Sequence, residues 1–307
     1  MSHDRSEDGW RRDGRVAEVL HEADVLHVAV AARRGPHVTP AVFDVDGGRL
    51  WFVTPRRSVK ARVIDRHRRV GALAQLGSRA VVVGGRARIV DPLTARGVFS
   101  PGALLDLPLA AAGYLGRNHR HATGTLRDHE APTLALSRVL VSIDIRRLAL
   151  LDGPAVEARW GRWPDLDLLL TGALPPTAPP PDLAGAPAAV RNLLADGAPV
   201  VVGWQGLSGP LALPARWRTG AAETGGPELE TSAEAMILAG AASGGPACVT
   251  AERSRYRLHS KQGVLLRGDG HARRSGPAAR VAVDARRVTW WRGEDSHTIA
   301  AATAQRP

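Results

Sequence analysis

Residues 50–62 read Leu50-Trp51-Phe52-Val53-Thr54-Pro55-Arg56-Arg57-Ser58-Val59-Lys60-Ala61-Arg62. An apolar run ends in a polar turn, and a serine then precedes Val59, Val63 and Ile64 at helical spacing. The run predicts a strand and Ser58 a helix N-cap, so the stretch is a strand-to-helix step. Helix N-termini present unpaired N–H groups and the positive end of the dipole, while Thr54 and Ser58 add hydroxyls and Lys60 a point charge. That combination suits a phosphate, although taken alone the segment also fits an ordinary polar loop with a capping serine.

Moving outward, Asp46-Gly47-Gly48 is a hairpin turn and His37–Val45 the strand before it. Leu26–Ala31 is an earlier apolar strand, and Val16, Val19, Leu20 and Ala23 behind Asp13 predict a short amphipathic helix. Downstream, Val70–Gln75, Ala80–Val90 and Arg138–Leu151 read as strands. The segment from Leu93 to about Glu130 lacks alternation and reads as a helical insertion at about 95–135. Prolines 175, 176, 179, 180 and 181 mark 154–187 as a linker.

Beyond it, the pattern returns. One gapless offset places Val16 on Val190, Val28 on Val202, Gly35-Pro36 on Gly209-Pro210, Pro40-Ala41 on Pro214-Ala215 and Ser58 on Ser232. A second offset matches Val81-Val82-Val83-Gly84-Gly85 to Val264-Leu265-Leu266-Arg267-Gly268, and a third matches Asp144–Leu148 to Asp284–Val288. Three blocks in one order predict a polar leader (1–13), a first β domain (14–153), the linker (154–187) and a second, degenerate copy (188–307) that lacks the insertion.

With Gly35-Pro36-His37-Val38-Thr39-Pro40 before the step and Ala80-Val81-Val82-Val83-Gly84-Gly85-Arg86-Ala87 after it, the first copy resembles the pyridoxamine 5′-phosphate oxidase-like, FMN-binding split-barrel superfamily. The resemblance spans essentially Val16–Gly153. It implies a mainly β fold with flanking helices, two tandem split β-barrels forming an intramolecular pseudo-dimer, and a flavin- or deazaflavin-dependent oxidoreductase acting on a small molecule. Val53, Thr54, Arg57, Ser58 and Lys60 would hold the cofactor phosphate. Val38, Thr39 and Pro40 would line the ring, and Lys261 and Gln262 of the second copy would face it from across the pseudo-dimer. Glu234 replaces Lys60 and Thr231 replaces Arg57 in the second copy, so one cofactor per chain is expected. FMN is the first expectation, deazaflavin the alternative and haem a more distant one. A non-catalytic flavin- or haem-binding scaffold is the competing class.

The composition narrows these readings. The 307 residues carry a net charge of +11, and all but two of the 41 basic residues are arginine, with Lys60 and Lys261 the exceptions. Clustered cations would invite a nucleic-acid partner, but only 4% of residues are aromatic and no basic run is interleaved with Tyr or Phe for base stacking. No apolar run reaches membrane-spanning length, Cys248 has no second cysteine to pair with, and the polar start lacks a secretory h-region. The expectation is a cytoplasmic protein, either a monomeric pseudo-dimer or a homodimer. Gly206-Leu207-Ser208-Gly209-Pro210 corresponds to the Gly35-Pro36 hairpin, which argues against a nucleophile elbow. His119 and His121 lack a neighbouring carboxylate or cysteine and read as surface residues, so no metal site is expected.

Overall fold

The computed structural model describes residues 8–90, 137–163, 170, 174–177, 185–195, 197–218, 228–241, 244–255, 260–293 and 295–300. The expected insertion at about 95–135 lies outside them. Asp13 caps helix α1 (Gly14–Glu22) by accepting from the Arg15 N–H at 3.0 Å, and Val16, Val19 and Leu20 form its buried stripe. The first sheet contains β1 (Leu26–Ala32), β2 (Gly35–Ala41), β3 (Phe43–Asp46), β4 (Arg49–Pro55), β5 (Arg69–Leu76), β6 (Arg79–Val90), β7 (Arg138–Asp152) and β8 (Ala155–Gly161). Helix α2 (Val59–Arg66) follows β4. The second sheet contains β9 (Pro199–Gly206), β10 (Gly209–Arg218), β11 (Glu228–Ser232), β12 (Gly244–Arg255), β13 (Ser260–Ser275), β14 (Ala278–Arg292) and β15 (Asp295–Ala300), with α3 (Ala188–Arg191) before it and α4 (Ala233–Leu238) after β11.

Two expectations change at their edges. The strand expected over His37–Val45 is two strands broken at Val42, because β2 pairs with β1 whereas β3 turns to pair with β4. The linker expected from residue 154 begins with a strand instead. β8 pairs antiparallel with β7, and Ala158 and Trp160 on alternate positions bury their side chains on one face. Proline density lies later in that segment and carried no information about its first residues.

The two sheets share one plan. The first runs β2-β1-β5-β6-β7-β4-β3 with β8 also on β7, and the second runs β11-β10-β9-β12-β13-β14-β15 with β11 also on β14, so β14 pairs β11 as β7 pairs β4. Both carry a register shift at the corresponding place, between Gly84 and Gly85 in β6 and between Arg267 and Gly268 in β13. A bulge bends its strand and sharpens twist, so matching bulges give the two sheets the same curvature. The chain is mainly β with flanking helices, two barrel-like halves joined face to face.

Strand period explains how they join. Along β1, Leu26, Val28 and Val30 enter the first half's own core, while Ala29 between them packs with the core of the second half. Leu73 among Ala72 and Ala74, Val82 among Val81 and Val83, and Ala149 among Leu148 and Leu150 divide in the same way. Successive side chains on a strand point to opposite faces, so these strands read as continuous apolar runs because both faces are buried. Close approach needs glycine at two places. A Cβ on Gly71 would fall on the Pro210 carbonyl oxygen and 2.6 Å from Leu211 Cα, and one on Gly203 would meet the side chains of Val38 and Cys248.

Candidate functional site

The strand-to-helix step forms as its sequence dictates. Thr54, next to last in β4, is 2% exposed and shares a 3.0 Å hydrogen bond with the Ser58 hydroxyl. Ser58 caps α2 by accepting from the Ala61 N–H at 3.1 Å. Helical spacing then divides α2 into two faces. Lys60, Ala61 and Ile64 turn inward, whereas Val59, Arg62, Val63 and Arg66 turn outward and line a cavity. The inward Lys60 is 7% exposed, donates to the Pro40 carbonyl at 3.0 Å and lies 5.7 Å from the centre of the Phe52 ring. Its charge is thus held against strand β2.

The outer face opens on a cavity of about 560 Å³ closed by the β1–β2 hairpin residues Arg33 and Arg34 and by Arg267 from the second half. Cationic groups converge here without carboxylates among the described lining residues. Arg267 donates to the Thr289 hydroxyl at 3.5 Å through one terminal nitrogen, but its buried Nε has no partner. The Nε of Arg287, its cross-strand neighbour, is also buried without one. Burial pushes the pKa of Arg267 down, and Arg287 and Arg34 push it further in the same direction. His37 of β2 is depressed to about 3 by burial and by the charges of Arg267 and Lys60, and its Nδ1 is a further buried orphan. An unpartnered buried guanidinium N–H such as that of Arg267 is costly, and an anion is a group that would satisfy it.

The expected site residues divide along these lines. Lys60 meets Pro40 and Thr54 meets Ser58, while Arg57 lies exposed in the turn and Val53 sits opposite Leu140 in the β4–β7 pairing. Val38 is fully buried, and its carbonyl accepts from the Thr250 hydroxyl at 2.8 Å, which commits it to the contact between halves. Thr39 and Pro40 are half-buried beside it. Lys261 pairs with Ser254 and Gln262 with Arg253. Gln262 is five positions from Arg267 along β13, about 17 Å at the rise of a strand. Arg267, His37, Arg34 and Arg62 were not singled out from sequence. One signal was available for Arg267: it replaces Gly84 at the bulge, where a large cation in place of glycine serves no purpose of backbone geometry.

No protein-family model matches the chain, and no curated protein sequence matches it. Several solved structures are similar to about half of it. A structure described as a putative pyridoxamine 5′-phosphate oxidase from Listeria innocua is 16% identical, covers 45% of this chain and 96% of its own, and has a TM-score of 0.31. A pyridoxamine 5′-phosphate oxidase-related, FMN-binding protein from Nostoc punctiforme is 18% identical over 49% of this chain and 87% of its own, at a TM-score of 0.35. A structure described as an F420 reductase is 20% identical, covers 43% of this chain and 94% of its own, and has a TM-score of 0.30. None of these activities passes to this chain through likenesses of this size. Among the described residues no helix is long and apolar enough to cross a membrane, and no group of His, Cys, Asp and Glu is placed to hold a metal.

Proposed function

We propose that the chain binds a flavin-type nucleotide, FMN or its deazaflavin analogue, in the cleft between its halves and acts with it as an oxidoreductase on a small molecule. The observation that carries this reading is the buried, unpartnered Arg267 Nε, brought by the second half to the helix that follows the Thr54–Lys60 step of the first. Arg267, Arg34 and Arg62 would hold the phosphate, a better match than Lys60, whose ammonium already has the Pro40 carbonyl. Lys60 acts one layer below, tying α2 to β2 and so setting the height of Val38, Thr39 and Pro40 against a planar ring. Thr54 and Ser58 fix where α2 begins, and Arg57 stands at its exposed entry. Lys261 and Gln262 keep their place in this reading as wall residues further along β13. A bound flavin-type ring supplies hydride transfer, and the protein supplies placement and charge around it.

The test is an absorption spectrum of the purified full chain followed by titration with FMN, read by quenching of flavin fluorescence. A flavin or deazaflavin band, or saturable FMN binding that Arg267→Gln weakens by at least about tenfold, is the expected outcome. A Soret band would replace the cofactor with haem. Absence of any chromophore together with no FMN or deazaflavin binding would remove the reading.

A further inference from the structure

A second cavity adjoins the first and shares Ala31, Arg66 and His67 with it. Its volume is about 540 Å³, within the size range of small-molecule sites. One wall is the segment Arg66-His67-Arg68-Arg69 that leaves α2 for β5, joined by Arg86 of β6. The other is the β9–β10 hairpin of the second half, through Gln205, Leu207, Gly209 and Pro210. Arg68, Arg69 and Arg86 are exposed, their side chains form no ion pair or hydrogen bond among the described residues, and no Asp or Glu lines the cavity. Elsewhere on this surface arginines do find carboxylates: Arg15 meets Glu157 at 2.7 Å, Arg79 meets Glu18 at 2.8 Å and Arg49 meets Asp144 at 2.8 Å. The arginine-rich background of the chain explains single unpaired cations, but not the convergence of several on one cavity without a carboxylate.

Arg147 adds weight from behind this wall. Its guanidinium donates to the Ser208 carbonyl at 3.2 Å and stacks 4.9 Å from the centre of the Trp163 ring, while its buried Nε has no partner. Like charges gathered without neutralisation repel one another, and a multiply charged anion is the ligand that relieves this.

We propose that this second cavity is a binding site for a compact soluble oligoanion, a small molecule carrying two or more phosphate or carboxylate groups, held by Arg68, Arg69 and Arg86. The concave shape favours a small molecule over a nucleic-acid duplex, and no Phe, Tyr or Trp lines it to offer bases a broad stacking surface. Leu207, 77% exposed at the hairpin tip, gives such a ligand one apolar contact, too little by itself to anchor a membrane.

Calorimetric titration of the full chain with tripolyphosphate and with citrate at low ionic strength tests this. Saturable binding of at least one probe is expected. The Arg68→Gln/Arg69→Gln/Arg86→Gln variant should weaken it by at least about tenfold, given that each phosphate contact removed takes a share of the electrostatic affinity. A control, Arg218→Gln/Arg280→Gln/Arg292→Gln, removes the same net charge from exposed positions of the second half and should leave affinity within about twofold. The preference between the probes identifies the anion class. Equal losses in both variants, or no binding of either probe, would overturn the site. So would tighter, cavity-dependent binding of duplex DNA or of phosphatidylglycerol vesicles. FMN titration of the same variants keeps this outcome separate from that of the cofactor cleft, because Arg68, Arg69 and Arg86 do not line the first cavity.

Discussion

The strand-to-helix step occurs twice in this chain, and the two versions share a frame but not a charge. Ser58 accepts from the Ala61 N–H at 3.1 Å, and Ser232 accepts from the Ala235 N–H at 3.2 Å, so both helices begin on the same cap. The carbonyl of the corresponding proline is also satisfied in both. Lys60 reaches Pro40 at 3.0 Å in the first half, whereas the Thr231 hydroxyl reaches Pro214 at 2.6 Å in the second. A short neutral donor thus does structurally what the long cationic one does. The surroundings have diverged further. Around α2 the first half gathers arginines, while the cavity beside the second step, about 630 Å³, is lined by Glu230, Glu252, His27 and Arg216, with His27 and Glu252 paired at 3.2 Å across the halves. The fold needs the carbonyl capped; the excess positive charge beside α2 is not a requirement of the fold.

The largest effect should come from forcing the first step toward the second. Lys60→Glu places a carboxylate against the Pro40 carbonyl in a nearly closed environment, and urea unfolding should show a loss above about 3 kcal/mol. The reverse change, Glu234→Lys, lies on the half where the carbonyl is already served by Thr231, and should cost less than about 0.5 kcal/mol. Similar losses from the two would mean that the steps are energetically equivalent.

A second contrast concerns His37, which corresponds to the fully buried Leu211. His37 stays neutral in the folded protein down to about pH 3, while the unfolded chain takes up its proton near pH 6.5. Unfolded molecules therefore bind more protons between these values, and stability falls as pH falls from 6.5 toward 3, by up to roughly 1.4 kcal/mol per pH unit. His37→Leu should flatten that part of the stability–pH curve relative to wild type. An unchanged slope would show that the ring titrates as an exposed histidine does.

The smallest effect separates the caps themselves. Ser58→Ala removes one cap, worth about 1 kcal/mol, together with the 3.0 Å bond shared with the buried Thr54 hydroxyl. Ser232→Ala removes the equivalent cap together with the 2.6 Å bond its hydroxyl donates to the Pro154 carbonyl, so the two losses should agree within about 0.5 kcal/mol. Thermal melts of the two variants, compared at one pH, measure the difference.

Cys248 marks a limit on chemistry. Its thiol is fully buried at the contact between halves and is pushed up to about 12 by burial, so it is neither nucleophile nor metal ligand at neutral pH.

Much of this was legible in the residues themselves, because the relevant physics is local. Strand and helix periods, the Ser58 cap and the bulge glycine Gly85, matched by Gly268, depend on neighbours in sequence, and their recurrence exposed the doubled plan. The β8 strand escaped because its pairing partner, not its composition, makes Ala155–Gly161 extended. The cationic cleft escaped for a related reason. Arg34, Arg62 and Arg267 are widely separated in sequence and indistinguishable there from the other arginines, and only the docking of the two sheets brings them to one cavity. Lys60 shows the same division from the other side: the sequence determined that a lone lysine stands at the start of α2, and the tertiary structure decided that its charge turns inward to a backbone carbonyl. A helix period assigns a residue to a face, but which face meets a ligand depends on what the rest of the chain packs against it.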